Sequence, residues 1–396
     1  MKRYLLHSFF IFIILSVSFP SKGYFLATTP AKSETTPVKL ATTPAKKAKK
    51  AVNKLMINAT FDFPEMDRKI DSLRSKYQLP GVTVAIVRND KLVYINCYGY
   101  QDSETPAQNN NLFRIASISK PVTLVALMKL MQNGNLSMDD KVFGANGILG
   151  EDFGPLPAGG SWEKITIRHL IEHKSGIQNV PNDPMFAYRG LSNKEIITSI
   201  IIERPLASEP GETNYYSNVG YNILGRVIEK ITGKTYEEYV KTEILAPCGI
   251  TNMKIGLNTL EQRFPNEVAY NQPDEPGWTY GMDVYRMDSH GGWIASASDL
   301  ARLITHTNRI DIKPDIIDKK WLEQTYFGFE QWTHNGSLPG TATMLTRMND
   351  EFSFVFLTNK RSWDNAFFND ISNAMQTAIK SRKSWPDKDL FGKIKW

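Results

Sequence analysis

Cysteine is almost absent: Cys97 and Cys248 are the only two in 396 residues. A pair can close one disulfide at most, which excludes a disulfide-framed scaffold, and their spacing carries no metal-binding pattern. Both read as packed side chains. A long apolar run is missing as well, since the stretch from Phe9 to Phe19 covers eleven residues, short for a membrane span. Acidic residues are missing from the start of the chain, where residues 1–58 hold ten Lys/Arg against Glu34 alone, a net of +9. The remainder then holds 37 basic and 40 acidic residues, a net of −3. The formal charge of +6 on the whole chain therefore misdescribes its folded part. That part lacks the concentrated basic face that nucleic-acid phosphates require, so no nucleic-acid partner is expected.

The N-terminal stretch has the pattern of an export signal. Lys2-Arg3 precedes the apolar run, and small residues at Ser16 and Ser18 or at Ser21 and Gly23 offer cleavage points. A signal peptide over residues 1–23 is expected, placing the protein in a periplasm or outside the cell. No cysteine follows the run, which argues against a lipoprotein anchor; extending the run back through Tyr4 gives an uncleaved anchor as the alternative. Residues 24–57 are dominated by Thr, Pro, Ala and Lys, and LATTPAK occurs at Leu26 to Lys32 and again at Leu40 to Lys46. Such a segment buries too little apolar surface to offset the entropy of ordering it. A disordered linker is expected, whose lysines could draw it to an anionic membrane or cell-wall surface. The folded domain is expected over 58–384.

Within that domain the chain is organised around Phe113 to Gly134. Val122, Leu124, Val125, Ala126, Leu127, Met128, Leu130 and Met131 form an apolar run broken only by Thr123 and Lys129. A helix apolar nearly all round is a core helix. Asn133-Gly134 supplies its stop. Ser117 and Lys120 stand three apart at its start, close enough for the amine to reach the hydroxyl oxygen. An amine pressed into apolar surroundings sheds its proton more easily and can then take that of the serine. Ser-x-x-Lys alone is a weak signal, because Ser161-Trp-Glu-Lys164 matches it too, in a loop after Ala158-Gly159-Gly160 with no core helix behind it.

Other elements follow by pattern. Phe63 to Tyr77 is expected as an amphipathic helix, and Val82 to Val87 and Leu92 to Tyr98 as strands of a hairpin closed by Arg88-Asn89-Asp90-Lys91. His169-Leu-Ile-Glu172-His173 matches the His-x-x-Glu-His arrangement of some zinc proteases. Ser175-Gly176 breaks that helix two residues later and no third ligand is evident, so His169 is read as a buried donor fixing a loop and His173 as a helix-end residue. Tyr216 and Asn218 stand two apart just before a helix running from Val219 through Ile231, so a phenol that can shuttle a proton and an amide that can bind an amine or a carbonyl share one cleft. Tyr94-Ile-Asn96 has the same spacing inside a strand and is read as structural. A capped helix follows Gly291-Gly292 through Ile304. Phe327 to Trp332, Thr341 to Met348 and Phe352 to Leu357 are read as strands, and Asp364 to Lys380 as the final helix. Two strands early and three late imply one sheet assembled from both ends of the chain.

Taken together, Phe113-Arg-Ile-Ala-Ser117-Ile-Ser-Lys120, Tyr216-Ser-Asn218 and His334-Asn335-Gly336 resemble, in order, the three motifs of the penicillin-recognising serine hydrolases: class C β-lactamases, D-alanyl-D-alanine carboxypeptidases and related esterases. The resemblance spans about Ala59 to Lys380. It implies an α+β, β-lactamase/transpeptidase-like fold: a five-stranded antiparallel sheet flanked by helices, with an inserted all-helical subdomain. It further implies acyl transfer with no metal or cofactor. Ser117 would attack a carbonyl, Lys120 and Tyr216 would relay its proton, Asn218 would position the substrate, and the backbone N–H groups of Ser117 and Ser337 would hold the oxyanion, with Asn335 and Gly336 beside it. The second carboxylate used as a base by class A β-lactamases has no evident counterpart, so deacylation would fall to Tyr216 or His334. His334 replaces a lysine found in many members; a histidine is only partly charged near neutral pH, which implies a weaker hold on β-lactam carboxylates. The expectation is a monomeric carboxypeptidase-like or esterase-like enzyme on a small-molecule or cell-wall peptide substrate. The alternatives are a β-lactamase proper, or a non-catalytic cell-wall-binding protein on the same fold.

Overall fold

The computed structural model describes residues 61–394 with the exception of residue 311. The signal peptide and linker expected over 1–57 lie outside the described residues. Helix α1 (Pro64–Tyr77) opens the fold, with Met66, Ile70, Leu73 and Tyr77 on its buried face. Strands β1 (Gly81–Arg88) and β2 (Lys91–Gly99) form the expected hairpin, turned by two residues, Asn89 (φ 47°) and Asp90 (φ 58°). A turn with both residues left-handed matches the twist of the strands, and short polar side chains tolerate that conformation. After the two-residue strand β3 (Phe113–Arg114) and a 3-10 turn at Ala116–Ile118 comes the core helix α2 (Ser119–Gln132), of which every residue but Lys129 and Gln132 is buried. Gly134 (φ 74°) stops it as expected.

The middle of the chain is helical: α3 (Ile167–Ile171), α4 (Pro184–Ala187), α5 (Asn193–Glu203), α6 (Asn218–Thr232) and α7 (Tyr236–Val240). Then β4 (Lys254–Ile255), α8 (Asp288–Gly291), β5 (Trp293–Ala295), α9 (Ala297–Thr305) and α10 (Lys319–Leu322) lead to the last three strands, β6 (Trp332–Leu338), β7 (Thr341–Arg347) and β8 (Phe352–Thr358), and to α11 (Phe367–Ser381). The expected strand over Phe327 to Trp332 is not there. Tyr326–Gly328 is a 3-10 turn with Phe327 buried, Phe329 is 53% exposed, and pairing begins only at Trp332.

The main sheet has the order β2-β1-β8-β7-β6, all antiparallel, so strands from the two ends of the chain meet at the β1·β8 pair. β1 is apolar on both sides because both faces are covered. Val84 and Ile86 join Met66, Ile70, Ile371 and Met375 in the layer under α1 and α11, while Ala85 and Val87 face the larger core that contains α2, α6 and α9. The packed chain continues beyond residue 384: Leu390 and Phe391 are buried, and the Leu390 N–H donates to the Leu92 carbonyl at 2.9 Å. β6 is one of the two edge strands of the sheet, and it lies against the 3-10 turn that carries Ser117.

Candidate active site

Ser117 sits in that 3-10 turn rather than in the first turn of α2, and Lys120 is the second residue of the helix. The preceding residue, Ala116, has φ 50°, a left-handed conformation that costs a side-chain-bearing residue about 1–2 kcal/mol. Its neighbour Ile115 is pinned on both sides, its N–H donating to the Trp293 carbonyl at 2.9 Å and its own carbonyl accepting from Thr343 Oγ1 at 2.9 Å. Gly336 on β6 allows the close approach. A Cβ there would fall 2.2 Å from the Ile115 carbonyl oxygen and 2.4 Å from Thr343 Oγ1.

Three elements converge on the Ser117 hydroxyl. The Tyr216 phenol donates to Ser117 Oγ at 2.7 Å, and Lys120 Nζ lies 3.4 Å from the same oxygen. The amine also donates to Asn218 Oδ1 at 2.7 Å and to the His290 carbonyl at 2.9 Å, so each of its three N–H directions has an acceptor. Lys120 is 1% exposed, and its nitrogen stands 4.7 Å from the centre of the Tyr216 ring. Burial lowers its pKa to about 7, with the charge of Asp183 acting in the opposite direction. Burial pushes the Tyr216 phenol up, so it stays protonated at neutral pH.

Asn218 is the first residue of α6 rather than a loop residue; Ser217 is the cap, its hydroxyl accepting from the Gly220 N–H. The Asn218 amide faces Lys120 on its oxygen side, and its nitrogen donates to Asp183 Oδ2 at 2.6 Å. Asp183 was not singled out from the sequence. Neither were the contacts of the segment around it, where Asn179 Nδ2 donates to the Tyr216 carbonyl at 3.0 Å.

The two histidines of the zinc-like motif have separate jobs, reversed from the expectation. His169 completes the N-terminal capping box of α3 with Thr166. His173 is the residue that fixes the active-site loop: its Nδ1 accepts the Ser217 N–H at 3.1 Å and its ring packs 4.7 Å from that of Tyr216. Burial, with the nearby Lys120 and His334, lowers the His173 pKa to about 3.

His334 donates from Nε2 to the backbone carbonyl of Ser117 at 2.9 Å and lies nearly parallel to Tyr326, 10° between rings 6.1 Å apart. The ring keeps some exposure at the surface, yet the protein around it and the charge of Lys120 lower its pKa to about 4. Partial charge near neutral pH, as expected from the residue type, is therefore corrected to a neutral ring. Next to it Asn335 is partly buried with no hydrogen-bond partner on Oδ1 among the described residues, Gly336 is buried, and Ser337 is exposed on the edge strand. Two surface cavities, of 270 and 430 Å³, lie elsewhere, around Phe143 and Glu163 and around Tyr77 and Trp363.

A serine hydroxyl held between a buried amine and a phenol, at the seam of a five-stranded antiparallel sheet and a helical region, is the layout of an active-site-serine acyl hydrolase. The sequence model of the beta-lactamase family matches residues 66–378, and the chain belongs to that family. It is 27% identical over 335 residues to penicillin-binding protein 4* of Bacillus subtilis (strain 168), covering 73% of this chain and 70% of that protein. It is 31% identical over 194 residues to Protein flp of Staphylococcus aureus (strain N315), covering 48% of this chain and 37% of that one. The solved structure of D-amino acid amidase from Ochrobactrum anthropi SV3 in complex with L-phenylalanine amide superposes with a TM-score of 0.66 at 20% identity, over 81% of this chain and 99% of that chain. The relatives support an enzyme on a β-lactamase-family serine hydrolase fold.

Proposed function

We propose that this protein is an exported serine hydrolase that forms an acyl-enzyme on Ser117 and acts on amides or esters. The observation that carries the proposal is the placement of Tyr216 and Lys120 on one oxygen, 2.7 and 3.4 Å from Ser117 Oγ. In this reading the Ser117 oxygen bonds to the substrate carbonyl carbon while its proton passes to Lys120, whose pKa of about 7 makes the neutral amine accessible. Tyr216, kept protonated, donates to the departing group as the carbonyl carbon releases it, and the Lys120 ammonium returns a proton to the phenol. The backbone N–H groups of Ser117 and Ser337 hold the oxyanion. Water then reverses the sequence and frees Ser117. His334, with a pKa of about 4 and its Nε2 given to the Ser117 carbonyl, is a poor base, which favours Tyr216 with Lys120 for deacylation.

The same neutral ring guides the choice of substrate. Both a β-lactamase proper and a D-alanyl-D-alanine carboxypeptidase act on substrates that end in a carboxylate, and an uncharged His334 gives that carboxylate no cation on β6. Esterase-like or amidase-like action is favoured over either, and the fold shared with a D-amino acid amidase puts amides in the first panel beside esters. A non-catalytic cell-wall-binding role leaves unexplained why an amine would be kept 1% exposed against a serine hydroxyl.

Intact mass after incubation with a penicillin and with an activated ester, beside Ser117→Ala, tests the proposal. Ester turnover faster than penicillin turnover, with any adduct absent in Ser117→Ala, is expected. Ester hydrolysis undiminished in Ser117→Ala would remove the nucleophile and the proposal with it.

A further inference from the structure

We propose that Asp183 is the positioning residue that sets the Asn218 amide and, through it, the place of Lys120, while setting a negative charge in the surroundings of that amine. The inference rests on the acyl-hydrolase reading and adds to it a residue 35 positions away from Asn218 in the sequence. The chain of contacts runs Met185 N–H to Asp183 Oδ1 at 2.9 Å, Asn218 Nδ2 to Asp183 Oδ2 at 2.6 Å, and Lys120 Nζ to Asn218 Oδ1 at 2.7 Å. An amide can be turned over without changing its shape. With Asp183 accepting from the nitrogen, only one orientation avoids setting two donors against each other at Lys120. Both carboxylate oxygens are engaged, so Asp183 holds and polarises rather than serving as the base. From the same segment Asn179 holds the Tyr216 carbonyl, so one stretch of chain registers both ends of Tyr216-Ser217-Asn218.

The groups that face Lys120 come from several elements. Asp183 is an acid; the ring of His290 is buried and those of His173 and His334 partly so, all three held neutral, and the phenols of Tyr216 and Tyr221 are raised. Arg204 is the cation that acts on Asp183 besides Lys120. Asp183 is thus the acid whose charge raises the pKa of Lys120 against burial. Burial holds its own carboxyl above the usual carboxylate value, and the N–H groups of Asn218 and Met185, contacts suited to the ionised form, act against that rise.

The test is the titration of Lys120 in full-length protein labelled with ¹³C at lysine Cε, its signal assigned by its loss in Lys120→Arg. In Asp183→Asn the Lys120 midpoint is expected to move down by on the order of one pH unit, because removing a nearby opposite charge disfavours the ammonium. The acid limb of ester hydrolysis should move down with it. An unchanged midpoint overturns the role of Asp183 whether or not the enzyme turns over. A shifted midpoint without ester turnover in the parent protein upholds it and overturns the hydrolase reading alone. Should Asp183→Asn fail to fold, Asp183→Ser makes the same prediction.

Discussion

At the scale of single residues the chemistry turns on which group near Ser117 can be a neutral base at physiological pH. Burial takes Lys120 down to about 7 and His334 down to about 4, and it raises Tyr216. The base is the neutral amine, whose fraction grows as pH rises through its pKa. Hence kcat/KM for a neutral ester should climb about tenfold per pH unit below 7 and level off above it. His334→Gln should leave that limb in place, because a ring that titrates near 4 has nothing left to lose between 6 and 8. Rates from pH 5 to 9 for both proteins check this, and a limb that vanishes in the variant would assign it to the histidine. Ser117, Lys120 and Tyr216 were readable in the sequence because each belongs to a short local pattern. Asp183 and the true part played by His173 were not. Their partners, Asn218 and Ser217, lie 35 and 44 residues away and meet them only through the tertiary fold. The charge of His334 was unreadable for a related reason, since it depends on burial rather than on residue type.

At the scale of elements, the nucleophile is placed by the meeting of a strand edge with a strained turn. Gly336 has no room for a side chain, and the backbone it would strike belongs to Ile115, one residue before Ala116. Gly336→Ala should push β6 away from the turn and spoil the alignment of the Ser117 and Ser337 N–H groups. Losing one such donor costs on the order of 10²–10³ in kcat. The expected outcome is a kcat loss of that size with KM changed little, measured on an ester beside a thermal melt. A fall in melting temperature with full activity at low temperature would assign Gly336 to stability instead. Elements with a clear pattern were the legible ones: α1, α6, α9, α11, the β1-β2 hairpin, β7 and β8 by their spacing, and α2 by its nearly unbroken apolar run. The error over Phe327 to Trp332 came from alternating aromatics that imitate a strand, although Phe327 is core and Phe329 faces outward from a 3-10 turn. Periodicity reports spacing along the chain, and a turn can present the same spacing.

At the scale of the whole molecule, the site exists only once the chain has closed on itself. α2 and its serine come from the first third, α6 with Tyr216 and Asn218 from the middle, and β6 from the last quarter, carried by a sheet in which β1 pairs with β8. Two strands early and three late made that closure legible, and the five-stranded antiparallel sheet does join strands from both ends of the chain. The sequence was silent on how the outer layer locks it, because α1 and α11 sit nearly three hundred residues apart and only packing joins them. The lock is specific: the Tyr77 and Phe367 rings meet edge to face at 4.8 Å, and Asp370 accepts from both the Tyr77 phenol at 2.5 Å and Lys76 at 2.6 Å. Both rings are buried in the layer beneath the sheet. An aromatic pair of this geometry contributes about 0.5–1.5 kcal/mol beyond the area it buries. A double-mutant cycle on Tyr77→Leu and Phe367→Leu, read from denaturant midpoints, should therefore return a coupling of that size, with each single change destabilising. A coupling indistinguishable from zero would mean that the ring pair adds nothing beyond its burial, and that what joins the two helices directly is the Asp370 carboxylate with Tyr77 and Lys76.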